Sequence, residues 1–97
     1  MIKNKHVFIT GGGSGIGRAI ALLFADEGAK VTITGRRSKV LEEVADKSVN
    51  IAAFPMDVSN EKEVISVISQ AVSQFGPIQV CVANAGIAEG KKLQNTD

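Results

Sequence analysis

The chain has 97 residues, 44% of them hydrophobic and 22% charged, with a formal net charge of +1. That is room for one small globular domain, and so even a charge balance excludes the basic field that nucleic-acid partners need. One cysteine, Cys81, excludes an internal disulfide, and with a single histidine it excludes a zinc site.

Residues 1–5 include two lysines. The apolar run behind them, residues 7–9, is too short for a signal-peptide core. No stretch approaches the roughly 20 apolar residues of a membrane span. The expected setting is a reducing, cytoplasmic one, with no membrane partner.

Residues 7–10 (Val-Phe-Ile-Thr) form a short β-rich run bounded by glycine and read as a buried strand. Gly11-Gly12-Gly13-Ser14-Gly15 follows, and the period then changes. Ile16, Ile20, Leu23 and Phe24 fall at i, i+4, i+7 and i+8, one face of a helix that Gly28 stops. Residues 30–34 alternate around Val31 and Ile33 as a second strand, followed by the turn Gly35-Arg36-Arg37. Ser38 is the expected N-cap of a short helix through Val40, Leu41 and Val44.

Residues 50–56 read as a third strand, ending in Asp57-Val58. Ser59 is the expected cap of a longer helix, with Glu61 and Glu63 at its positive end. The apolar face of that helix is Val64, Ile65, Ile68, Ala71, Val72 and Phe75, and Gly76-Pro77 ends it. Residues 78–83 form a fourth, nearly all-apolar strand, ending in Asn84-Ala85-Gly86. Residues 88–97 are a polar tail without clear pattern. His6 is expected on the surface, and Cys81 as an inert core thiol.

Strands alternating with helices predict a parallel sheet with right-handed crossovers. The expected fold is a partial doubly wound, Rossmann-like α/β domain spanning residues 1–97 and truncated relative to the full fold, with strands ordered 3-2-1-4.

A glycine loop between a strand and a helix can bring bare backbone N–H groups to a phosphate. Glycine also serves tight turns that hold no ligand. The P-loop pattern fails here: Gly12 and Gly17 have its spacing, but Arg18 and Ala19 stand where Lys and Ser/Thr are needed. The common Gly-x-Gly-x-x-Gly fingerprint fails too, because Ile16 stands third when counted from Gly11 and Ile20 when counted from Gly15. What fits is Thr-Gly-x-x-x-Gly-x-Gly at Thr10, Gly11, Gly15 and Gly17.

This loop, with Asp57-Val58 after strand three and Asn84-Ala85-Gly86 after strand four, resembles the short-chain dehydrogenases/reductases across nearly the whole chain. The resemblance implies a dinucleotide site. Gly11 would permit the turn, Gly15 and the Ile16 amide would approach the pyrophosphate, and Gly17 would let the helix pack on the sheet. Asp57 would accept a hydrogen bond from the adenine amino group, beside Val58. Asn84 would brace the end of strand four, and Ala85 and Gly86 would let the ribose come close. Ala83 departs from the family, where asparagine is usual. Helix capping by Asp57 and a turn role for Asn84 are the plainer alternatives.

An NAD-binding member would carry a carboxylate at the end of strand two, bonded to the ribose 2′-hydroxyl. Gly35 stands there, with Arg36 and Arg37 behind it. A guanidinium can grip a 2′-phosphate in bidentate fashion. The expectation is therefore NADP rather than NAD, with Arg36 as main ligand and Ser14 as helper. A solvated basic turn is the alternative.

The family's catalytic serine, tyrosine, lysine and asparagine are all expected beyond Asp97, and the chain has no tyrosine. The functional expectation is the NADP(H)-binding part of a reductase or dehydrogenase, inactive by itself. A binding module without turnover and an interaction module that has lost its ligand are the alternatives. Nucleotide affinity separates the last from the other two. The fourth strand is expected to be an uncovered sheet edge, open to self-association if these residues stand alone.

Overall fold

Elements alternate along the chain in the expected order: β1 (His6–Thr10), α1 (Gly15–Asp26), β2 (Lys30–Gly35), α2 (Ser38–Ala45), β3 (Ile51–Pro55), α3 (Glu61–Phe75) and β4 (Val80–Ala83). The computed structural model describes residues 2–13 and 15–84. Their strands form one parallel sheet in the order β3-β2-β1-β4, the predicted topology.

The register explains the two-sided core. Val7 pairs with Val31 and Ile9 with Ile33, so these side chains point to one face. There they pack with Ala21 and Ala25 of α1 and Leu41 and Val44 of α2. Phe8, one residue out of phase, points to the other face and packs with Val67 and Ala71 of α3 and with Met56. The crossovers into β2 and β3 step one way along the sheet, and that into β4 steps back. Right-handedness therefore places α3 opposite α1 and α2. The reversal makes the carboxyl ends of β1 and β4 the topological switch point of the sheet, the place where a crevice for ligands is expected in such folds.

The buried row of α1 differs from the predicted one. Gly17, Ala21 and Ala25, spaced by four, face the sheet. Ile16 and Leu23 are each 57% exposed. Small residues let the helix axis approach the strands, and Ile20 and Phe24 pack along the flank. A similar rotation occurs in α3. Val67, absent from the predicted face, is buried with Ala71, whereas Ile65 is 62% exposed and Ile68 and Val72 are each 38% exposed.

Both predicted N-caps move by one residue. α3 is capped by Asn60, whose side chain accepts from the Glu63 amide. Ser59 instead turns toward Asp57. α2 starts after Arg37 without a side-chain cap, and the Ser38 hydroxyl donates to Glu42 at 3.2 Å. The glycine stops hold: Gly28 and Gly76 both have positive φ, at 93° and 87°.

Two single residues correct the expectations. His6 is not on the surface but begins β1 and is 1% exposed. Its Nδ1 lies 2.8 Å from the Gly76 carbonyl, its Nε2 lies 2.7 Å from Thr32 Oγ1, and its ring meets Phe75 edge-on. Those partners satisfy both ring nitrogens, which is what burial of an imidazole requires. Cys81 is exposed rather than buried, because among the described residues β4 pairs only with β1 and its side chains alternate between half-buried and exposed.

Candidate dinucleotide site

The glycine loop is pressed from two sides. The Gly11 and Gly12 amides donate to the Thr34 carbonyl at 2.8 and 3.0 Å, which ties the loop to the end of β2. A Cβ on Gly12 would lie 2.5 Å from Ile33 Cβ. A Cβ on Gly17 would run into the Gly11 carbonyl and come within 2.6 Å of Asn84 Nδ2. These two glycines are therefore glycines because strand and helix leave no room for a methyl group.

The loop's outer side is different. Gly15 has a φ of 56°, and beyond its chain neighbours and its own helix no atom of the described residues lies within 4 Å of where its Cβ would stand. α1 begins there, so its first amides lack intrahelical partners, at the positive end of the helix dipole. Filled inside and bare outside, this backbone suits an anion such as a dinucleotide pyrophosphate.

Asn84 joins the two strand ends that flank the crevice. Its Nδ2 donates to the Gly11 carbonyl at 2.9 Å, linking the end of β4 to the turn after β1. Asn84 is buried, so this bond also satisfies a polar group that would otherwise be costly.

Gly35 is the last residue of β2, paired with Pro55 of β3. Arg36 follows, with its side chain 79% exposed and Nη2 3.8 Å from Asp57 Oδ1, itself on a side chain 43% exposed. A pair this open and this long contributes little to stability. Asp57 is held chiefly by Ser59, whose amide and hydroxyl donate to Oδ1 at 2.9 and 2.7 Å. Those two bonds, with a smaller contribution from the Arg36 charge, hold the carboxyl below its ordinary value of 3.8, so it is an acceptor at neutral pH.

Ile16 and Val58 stand 57% and 56% exposed. Ser14, Ala85 and Gly86 lie outside the described residues. The structure thus brings Gly11, Gly17 and Asn84 into mutual contact, and Arg36 beside Asp57. A cleft beside the loop is lined by Gly13 and Gly15 together with Arg18 and the α2 side, and by none of Arg36, Asp57 and Asn84.

Sequence reasoning missed the clamp that Asn60 and Glu63 form under Asp57. Its signal was present: an Asn followed three residues later by Glu is the capping-box spacing. A serine one residue earlier offered an equally acceptable cap and hid it.

The family model described as short chain dehydrogenase matches residues 5–97. The chain belongs to the short-chain dehydrogenase family. It is 43% identical over 98 residues to a 3-dehydrosphinganine reductase of Arabidopsis thaliana, an alignment covering 95% of this chain and 28% of the relative. It is 41% identical over 95 residues to the 3-oxoacyl-[acyl-carrier-protein] reductase FabG of Staphylococcus epidermidis, covering 93% and 39%. In structure it is similar to a 3-ketoacyl-(acyl-carrier-protein) reductase from Brucella melitensis complexed with NADH. That match has a TM-score of 0.81 and 35% identity, covering 84% of this chain and 34% of the other. The chain thus spans well under half the length of these members of the family.

Proposed function

We propose that this chain binds NADP(H) and supplies the cofactor-binding part of a reductase acting on a ketone carbonyl or the matching alcohol. Bound there, the nicotinamide would supply or accept the hydride. The chain's own residues would do the holding. The amides of Gly15 and Ile16 would meet the pyrophosphate, Asp57 and Val58 the adenine, and Asn84 would keep the β1 and β4 ends at a fixed separation. Ala85 and Gly86 would border the ribose.

One observation carries the choice of NADP. Gly35, which has no side chain, ends β2, and the residue beyond it presents an exposed guanidinium. No carboxylate stands there to bond a 2′-hydroxyl or repel a 2′-phosphate. Arg36 would grip that phosphate, with Ser14 assisting. The Brucella relative holds NADH, so family membership leaves the cofactor open and Arg36 is the ground for choosing.

The names of the relatives support the substrate class, since both the 3-dehydrosphinganine and the 3-oxoacyl enzymes are reductases. The chain contains no tyrosine, the residue that the family resemblance implies as proton donor. These 97 residues are therefore expected to bind without turnover.

Titration of the 97-residue chain with NADPH and NADH, followed by nicotinamide emission, tests the reading. A charge-assisted phosphate contact predicts about tenfold tighter binding of NADPH, a preference that Arg36→Leu removes while NADH affinity stays the same. Equal affinities in the wild type, or a preference that survives Arg36→Leu, would overturn it.

A further inference from the structure

We propose that Glu63 is a positioning residue for adenine recognition, fixing the Asp57 carboxylate so that one oxygen stays free to accept from the adenine amino group. The proposal rests on the dinucleotide reading above and adds a residue outside the glycine loop and the strand ends.

Asp57 lies just past the sheet. The last bond between β2 and the chain leaving β3 runs from the Met56 amide to the Gly35 carbonyl, at 2.8 Å. Beyond that bond, nothing in the sheet holds the backbone. Yet three of the four polar groups of Asp57 are engaged. Its amide donates to Glu63 Oε1 at 3.2 Å. Its carbonyl accepts from the Asn60 amide at 3.0 Å. Its Oδ1 accepts from both donors of Ser59. Among the described residues only Oδ2 has no such bond, and Arg36 approaches Oδ1 rather than Oδ2.

Glu63 is itself anchored. Its amide donates to Asn60 Oδ1, and its Oε2 accepts from Asn60 Nδ2, both at 3.1 Å. In an ordinary capping box the third-position glutamate reaches back to the amide of the N-cap residue. Here the N-cap amide is already taken by the Asp57 carbonyl, and Glu63 reaches three residues further, to the Asp57 amide. A helix cap has been extended into a clamp on the residue three positions before it. The first turn of α3, where the dipole favours a carboxylate, thereby holds the backbone of Asp57, while Ser59 holds its side chain.

A carboxylate fixed through one oxygen presents lone pairs in a set direction with the other. It suits the adenine amino donor and disfavours hypoxanthine, which carries a carbonyl oxygen at the same place. A cap that merely stabilises α3 would not distinguish the two bases.

The test uses the 97-residue chain with NADPH and its hypoxanthine analogue, deamino-NADPH. The wild type is expected to bind NADPH about tenfold tighter than the analogue, as one hydrogen bond to a charged acceptor allows. Glu63→Ala is expected to bring that ratio to about twofold or less, and Glu63→Gln, which keeps an acceptor for the Asp57 amide, to restore most of it. Ser59→Ala, an exposed change that leaves the cap intact, lowers the ratio even if Glu63→Ala fails to fold.

A wild-type ratio that Glu63→Ala leaves unchanged, with the two affinities falling in parallel, overturns this inference and leaves the NADP reading standing, whatever Ser59→Ala does. A wild type that binds both nucleotides equally overturns the role given to Asp57 and Glu63 together. A wild type that binds neither overturns the proposed function, and this inference with it.

Discussion

Replacing one hydrogen of Gly17 with a methyl group sets two effects against each other. Alanine is the better helix former by about 1 kcal/mol. The new Cβ, however, would meet the Gly11 carbonyl and Asn84 Nδ2, and the first of these is backbone that cannot rotate away. Overpacking of this kind costs about 1–3 kcal/mol and is expected to win. Urea unfolding of Gly17→Ala should therefore show a lower midpoint at unchanged slope. A midpoint at or above that of the wild type would mean that helix propensity dominates and that the loop is looser than its packing indicates. At this scale the packing of the loop was legible, because Gly11 takes the positive φ of a turn and Gly17 stands where α1 approaches that turn closely. The Asn84–Gly11 bond joins residues 73 apart in sequence. No local pattern encodes that pairing, and only the resemblance hinted at a brace.

The helices show how far periodicity carries. All three were foreseen, because an apolar row at a 3.6-residue period needs a sheet to cover it. The sequence did not reveal which part of the row touches the sheet. In α1 the contact is made by Gly17, Ala21 and Ala25, residues that hydrophobicity ranks low and close approach ranks high. In α3 the large side chains of Ile65, Ile68 and Val72 lie beside the buried row and are exposed, while Val67 lies within it. The two kinds of position should separate on truncation. Val67→Ala is expected to cost about 1.5–3 kcal/mol, the worth of a buried valine side chain. Ile65→Ala should stay within about 0.5 kcal/mol, as surface changes usually do. Chemical denaturation of the two variants decides the matter, and comparable losses would place Ile65 in the core.

At the level of the molecule, the parallel sheet was readable from the alternation of strands and helices, whereas the order β3-β2-β1-β4 is one of several that the connection rules allow and came from the family resemblance. The two ends of the sheet were less equal than the sequence suggested. β3 ends in an exposed proline, Pro55, which cannot donate to an added strand. β4 is Val-Cys-Val-Ala, with no charge and no proline, and its only paired neighbour among the described residues is β1. Such an edge invites another strand. The 97-residue chain alone is expected to associate with rising concentration in size-exclusion chromatography. Cys81→Lys, at an exposed position, should shift it toward monomer. A wild type that elutes as a monomer at every concentration would argue against edge pairing. The prediction that Cys81 is a core thiol failed for the same reason: an apolar run reads as buried on both faces, and at a sheet edge it is not.

The ring of His6 spans this architecture in one direction. A peptide carbonyl has no proton to give, so the nitrogen facing Gly76 must carry one, and a neutral ring must then receive a proton bond at its other nitrogen from the Thr32 hydroxyl. The polarity of the whole relay, from the middle of β2 to the residue that ends α3, is set by that carbonyl. His6 therefore acts as a one-way coupling between a strand and a helix terminus, and its single tautomer is part of the fold.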